Sequence, residues 1–209
     1  MCIRDRVLAP GRFDNVDQLH ANLVQDTLAQ LPEEDVKESR GGLGLFCLSV
    51  GGANGGRIEV PVKEIVEHVE ALHNLGYGVM LFRARELYTM SAYVNRYTKS
   101  RIHFAIGLTV LARVFEDRYK DLAGSLLEGI ARLFNQNVRV SVYPMPAEDV
   151  ERRIKVAGLT GWTWKETNGM VTADNLHPSG PLDSLYQYLL SSEFILIGTP
   201  RKGEAAATS

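Results

Sequence analysis

Apolar and polar residues alternate along this chain with two different periods, and the switch between them lays out its elements. Leu43 to Val50 is a short, mostly apolar run between Gly41-Gly42 and Gly51-Gly52, which predicts a buried strand. Gly51 to Gly56 is too rich in glycine for a helix or a ladder and reads as a loop. Val62, Ile65, Val66, Val69, Leu72 and Leu75 then recur at spacings of three and four, predicting an amphipathic helix with Pro61 at its start and Gly76 past its end. Val79–Phe82 predicts a strand buried on both faces, and Leu87, Met90, Val94 and Tyr97 form the stripe of the next helix.

The same alternation continues. Ile102, Phe104 and Ile106 mark a strand stopped by Gly107, and Leu108 to Tyr119 and Leu122 to Phe134 predict two helices. Val138, Val140 and Val142 interleave with Arg139, Ser141 and Tyr143, a strand wet on one face. Ala147–Val156 and Pro181–Ser191 are helical in pattern, and Phe194–Ile197 is a short last strand. Between them, Gly158–Gly180 reads as an irregular cap or a hairpin. Strands alternating with helices of ten to fifteen residues argue for βαβ units. The expected fold class is α/β, an open, mostly parallel sheet of about five strands with helices on both faces.

The ends carry weaker patterns. Residues 1–6 resemble a translated sequencing-adaptor scar of the kind that prefixes metagenomic reading frames, and they are set aside as an artefact. Residues 7–40 read as an acidic helical segment or linker, because 14–40 holds seven acids against two bases and Pro32 breaks its pattern. The compact α/β domain is then expected at 41–197, with 198–209 a disordered tail. On this reading the chain is a fragment whose upstream domain is a possible partner.

Charge and composition exclude several classes. The chain of 209 residues carries a net charge of −2, so no global basic field points to nucleic acid. No apolar run is long enough for a membrane span. Its two cysteines form no disulfide framework and suit a reducing, cytoplasmic compartment. Locally the balance differs: residues 83–139 hold ten bases and five acids.

Ligands of open parallel sheets bind outside the carboxyl ends of the strands, which selects a short list of residues. Arg83 and Arg85 follow the strand at 79–82 and could clamp a phosphate or carboxylate bidentately. Thr109 follows the strand at 102–106, while Asn175 and His177 sit in the irregular segment. Arg83, Arg85, Thr109 and Asn175 are the expected ligand-binding residues, and His177 and Glu86 the weak catalytic candidates. The loop Gly51 to Arg57 matches neither GxGxxG nor GxxxxGK[ST], so a plain flexible loop is the better reading. Glu64 and His68 share a helix face but supply two ligands only, and no metal site is expected. Cys47, inside a buried strand, reads as an inert core thiol. Tyr88, Tyr93 and Tyr97 could stack a base, although packing explains their spacing as well.

Three stretches together resemble a known family: Leu81-Phe82-Arg83-Ala84-Arg85-Glu86-Leu87-Tyr88 with Asn95-Arg96-Tyr97-Thr98, then Leu126-Leu127-Glu128 with Arg132-Leu133-Phe134 and Asn137 to Pro144, and Asn175-Leu176-His177-Pro178 with Pro181-Leu182 and Leu185-Tyr186. The set is similar to the C-terminal half of a bacterial and cyanobacterial family labelled nicotinamide mononucleotide adenylyltransferase or TonB-dependent receptor. The first label implies an α/β sheet and an anion site, with the catalytic phosphate motif upstream, since no HxGH occurs here. The second implies many alternating strands of about ten residues, which this pattern does not offer. The function expected is binding of a small anionic metabolite or nucleotide, phosphorylated or carboxylated. The cofactor is unknown, and the alternative is a non-catalytic interaction domain.

Overall fold

In a computed structural model the chain is described at residues 6–13, 16–31, 43–50, 61–83, 86–98, 100–116, 119, 121–135 and 137–199. Six strands pair into one all-parallel sheet: β1 (Arg6–Gly11), β2 (Leu43–Ser49), β3 (Gly78–Phe82), β4 (Ile102–Gly107), β5 (Val138–Tyr143) and a late strand at Ile195–Ile197. Their order across the sheet runs β3, β2, β1, β4, β5 and then that late strand. Seven helices lie among the described residues, so the open α/β class holds. Helices α1 (Gln18–Ala29), α2 (Val62–Asn74) and α3 (Leu87–Val94) fall between the first four strands, and α4 (Leu108–Val114) and α5 (Ser125–Leu133) lie between β4 and β5.

The first strand is the main correction to the sequence reading. Arg6–Gly11 is a strand of the sheet and Gln18–Ala29 a helix, as the helical alternative for this segment expected, so the α/β fold does not start at 41. Instead, β1 stands inside the sheet, pairing Arg6–Gly11 with Leu43–Leu48 on one side and Arg6–Leu8 with Ile102–Phe104 on the other. Pro10 hides this strand from pattern reading, since proline argues against a central strand. It is accommodated because the pairing with β4 covers Arg6–Leu8 alone, so Pro10 has a ladder partner on one side only. Arg6, set aside with residues 1–5 on sequence grounds, is the first residue of β1. Residues 1–5, the acidic stretch 32–40, the glycine loop 51–56 and residues 201–209 lie outside the described residues.

By compactness the chain divides into two units, residues 1–105 with 136–138, and residues 106–135 with 139–209. In the first unit, Val7 and Ala9 of β1 and Phe46 and Leu48 of β2 share a buried cluster with Val24 of α1 and Leu72 of α2. Helix α1 is seated directly on the sheet at Gly44, where a Cβ would lie 2.5 Å from Val24 Cγ1 and 3.0 Å from the Tyr77 ring. Leu8 and Cys47, which alternation turns to the opposite face, are equally buried. Strand β3 departs from expectation. It is the sheet edge, and Leu81 is 53% exposed because no strand covers its outer side.

In the second unit, Val140 and Val142 of β5 are buried as predicted, but Ser141 on the supposedly wet face is buried too. The segment at 158–180 resolves into antiparallel pieces. Strand β6 (Met145–Pro146) pairs with β8 (Met170–Val171), and β7 (Trp162–Trp164) pairs with β9 (Leu176–Pro178). Helix α6 (Ala147–Val156) lies between β6 and β7, and α7 (Leu182–Ser191) leads into β10, the strand at Ile195–Ile197. No helix of the described residues is long and apolar enough to cross a membrane.

Two expectations test this packing. Gly44→Ala forces a methyl against Val24 and Tyr77 and lowers stability by about 1–3 kcal/mol, read as a shifted denaturant midpoint at unchanged slope. Burial pushes the Cys47 thiol from 9.0 up to about 12. Its neutral form is the one the fold prefers, so its contribution to stability is intact below pH 9 and is lost as pH rises from 9 towards 12. Alkylation read at the Cys47 peptide is therefore absent in the native protein at pH 8 and complete after denaturation.

Candidate functional site

In the first unit the carboxyl ends of β1, β2 and β3 deliver Arg12, Ser49 with Val50, and Arg83. The β1 tip is built with strain. Phe13 has φ 55, a left-handed backbone that costs a non-glycine residue about 1–2 kcal/mol. That turn folds its ring back over Gly11, where a Cβ would stand 2.9 Å from Cζ. The ring is then held edge-on by Phe46 at 5.3 Å and His20 at 5.2 Å. Arg12, between the two, is left exposed at the end of a central strand. With Ser49, Val50, Glu64 and His68 it borders a recess of about 10 Å³, room for a single water. That recess is too small for a metabolite, so any ligand here lies on the strand ends themselves.

Arg83 is exposed at the end of β3, and Arg85 lies outside the described residues. In the sheet, β2 and β1 stand between β3 and β4, so the strand behind Arg83 is not a neighbour of the strand that leads to Thr109. Glu86 is the N-cap of α3 without a side-chain capping bond. Among described residues no group of three or more His, Cys, Asp or Glu side chains could hold a metal ion.

In the second unit, Thr109 is the second residue of α4, whose N-cap is Gly107, and its Oγ1 is buried with no hydrogen-bond partner. Asn175 is already engaged locally. Its Oδ1 accepts the Thr172 N–H at 2.8 Å and its Nδ2 donates to Met170 O at 3.4 Å, closing the 3₁₀ turn Ala173–Asn175. The signal read as ligand binding there is turn chemistry. His177 lies on β9 with Nδ1 3.3 Å from Asp183 Oδ1 and 3.1 Å from the Gln187 side-chain amide, both on α7. The Asp183 contact needs an Nδ1–H and the Gln187 Nε2–H contact a bare Nδ1 lone pair, so the two bonds belong to opposite tautomers. Both members of the pair are near 40% exposed, which makes this a solvated dyad.

Two features of the second unit had no reading in the sequence. Tyr186 is fully buried, donates its hydroxyl to Ala173 O at 2.7 Å, and packs edge-on to Phe115 and Trp162. Burial, then the nearby Asp174 and Asp183 carboxylates, raise its phenol well above the usual tyrosine range. Beside this aromatic group is a cleft of about 380 Å³, bordered by Trp162, Glu116 and Ser179. The cleft was not legible because its walls come from segments more than 40 residues apart. Arg12 was missed for a different reason, since β1 itself was not recognised. An apolar triplet ending in Pro-Gly-Arg was the one available signal.

No family model matches this chain, and no curated protein matches it.

Tyr186→Phe removes a buried hydrogen bond, so it costs about 0.5–1.5 kcal/mol in denaturant unfolding. Gly11→Ala drives a methyl into the Phe13 ring and is destabilising by a similar amount, about 1–3 kcal/mol.

Proposed function

We propose that this chain is a Rossmann-like domain that binds a phosphorylated or carboxylated, nucleotide-like metabolite at the carboxyl ends of its parallel strands. The observation that carries the reading is the strand order. From β1 the sheet runs outward one way through β2 and β3, and the other way through β4 and β5. That reversal next to β1 is the arrangement in which open α/β sheets hold nucleotides. Arg12 ends the strand at the reversal and Arg83 ends the edge strand, so cationic donors stand on the side where such ligands sit. A guanidinium there supports recognition of a phosphate or carboxylate by paired hydrogen bonds.

Arg85 completes the set of the first unit, and Thr109 and Asn175 are separate candidates of the second unit. Asn175 is the weakest of them, because both ends of its amide are occupied. His177 and Glu86 are its candidate proton-transfer groups. The family resemblance supports a nucleotidyl-transfer context, in which this domain would be the C-terminal part of a larger enzyme.

A second reading has its own observation. Val62 and Val66 on α2, Leu81 on β3, and Tyr93 and Tyr97 at the end of α3 are all exposed in the first unit. Such apolar exposure favours an interaction domain that docks on an upstream segment.

A thermal-shift panel of nucleotides and sugar phosphates separates the two. At a ligand concentration a hundredfold above Kd, binding adds about 2.7 kcal/mol and raises Tm by about 5–10 °C. The triple variant Arg12→Ala, Arg83→Ala, Arg85→Ala abolishes that shift while leaving the unliganded Tm within about 2 °C. A panel with no shift in the unaltered protein overturns the metabolite reading and leaves the docking one.

A further inference from the structure

We infer that two copies of this chain pair antiparallel through their β3 edges, joining their sheets into one continuous sheet. The inference needs neither a metabolite nor an upstream segment, so it stands apart from both readings above. Strand β3 ends the sheet, and β2 is its one strand neighbour among the described residues. The direction of its backbone follows from a single bond. The Phe82 carbonyl accepts the Val50 N–H at 2.8 Å, on the β2 side, where Ser49 is the partner of Phe82 in the ladder. In a parallel ladder a residue turns its N–H and C=O to the same side, and successive residues alternate. Met80 therefore faces β2 as Phe82 does, while Val79 and Leu81 turn their N–H and C=O groups outward from the edge.

A second copy is the occupant because this edge is complementary to itself. Turned antiparallel about a two-fold axis at Met80, the residues Gly78–Phe82 meet in full, and Val79 of each copy lies opposite Leu81 of the other. These are the residues with outward backbone groups, so each of the two pairs exchanges both of its hydrogen bonds. A shift of one residue would set outward groups against inward ones, and a shift of two would lose overlap. The side chains match as well. On one face Leu81, half-exposed in the single chain, gains Val79 of the other copy beside it. On the opposite face the Phe82 ring stands over Gly78, a large residue against one without a side chain, and Met80 meets Met80 on the axis. Tyr93 and Tyr97, both exposed, continue that face, with ring centroids 5.5 Å from Phe82 to Tyr93 and 5.2 Å from Tyr93 to Tyr97. The strand holds no charged residue and no proline, the devices by which an edge rejects another strand. Two like copies thus bring no repulsion along it, and the closed two-fold pair leaves no β3 edge open for further growth.

Sedimentation velocity on the full chain tests this across a series from about 1 to 200 μM. A strand edge with its flanks is a small interface, so a monomer–dimer equilibrium with Kd on the order of 10 μM is expected. Leu81→Lys puts a charge on the exposed edge and is expected to raise that Kd at least about tenfold. Leu81→Pro removes an outward N–H that the bonds to β2 do not use, and the same loss is expected. Val156→Lys, at an exposed position of the second unit, is expected to leave the dimer intact. Met80→Cys in a Cys2→Ser background is expected to form an intermolecular disulfide, since opposed residues without mutual hydrogen bonds stand about 4.5 Å apart at Cα. A chain that stays monomeric throughout the series overturns the inference and leaves the docking of an upstream segment standing. A dimer that persists in both Leu81 variants, or that does not cross-link at Met80→Cys, overturns it too. The wild-type series reads the outcome even if a variant fails to fold.

Discussion

The placement of β1 between β2 and β4 is the constraint on which the first unit depends. A strand with neighbours on both sides has its backbone groups paired in two directions, and its side chains must be buried above and below. Val7, Leu8 and Ala9 meet that demand, with exposures of 1% or less. Because β1 is central, the chain reaches β2 on one side and later returns to β4 on the other. Parallel pairing forces a crossover for each such step, and helices supply the crossovers. The reversal of strand order, the seat of α1 on Gly44, and the exposed position of Arg12 all follow from that one insertion.

The same logic explains why chemistry gathers where it does. Parallel strands point their carboxyl ends one way, so the residues after β1, β2 and β3 share an edge without any sequence motif to announce them. At β1 that edge is shaped by a strained residue. Phe13 accepts a left-handed backbone because its ring gains Phe46 and His20 as neighbours and roofs Gly11. In the second unit, the β7–β9 ladder and an edge-on aromatic trio shape a cleft from segments far apart in the chain.

Parts of the site were legible and parts were not, for separable reasons. Arg83 could be placed because an unbroken apolar run, Val79–Phe82, ends directly before it. Arg12 could not, because Pro10 and Gly11 interrupt its strand and the acidic residues beyond suggested a linker. Asn175 has the composition of a ligand-binding loop, yet its amide closes its own turn. His177 shows the reverse, since Asp183 is six residues away in sequence and the helix after β9 brings it to 3.3 Å.

The sequence by itself determined the class of fold and most of its helices and strands, because those rest on local periodicity. Five of the six sheet strands and the helices α2 to α7 stand close to where the apolar spacing puts them. The tertiary structure alone decided the order of the strands, the edge position of β3, the burial of Ser141 and the walls of the cleft. Each of these depends on which distant segment a residue meets. A period of two or 3.6 says which face of an element is apolar, and it carries no information about what that face will be packed against.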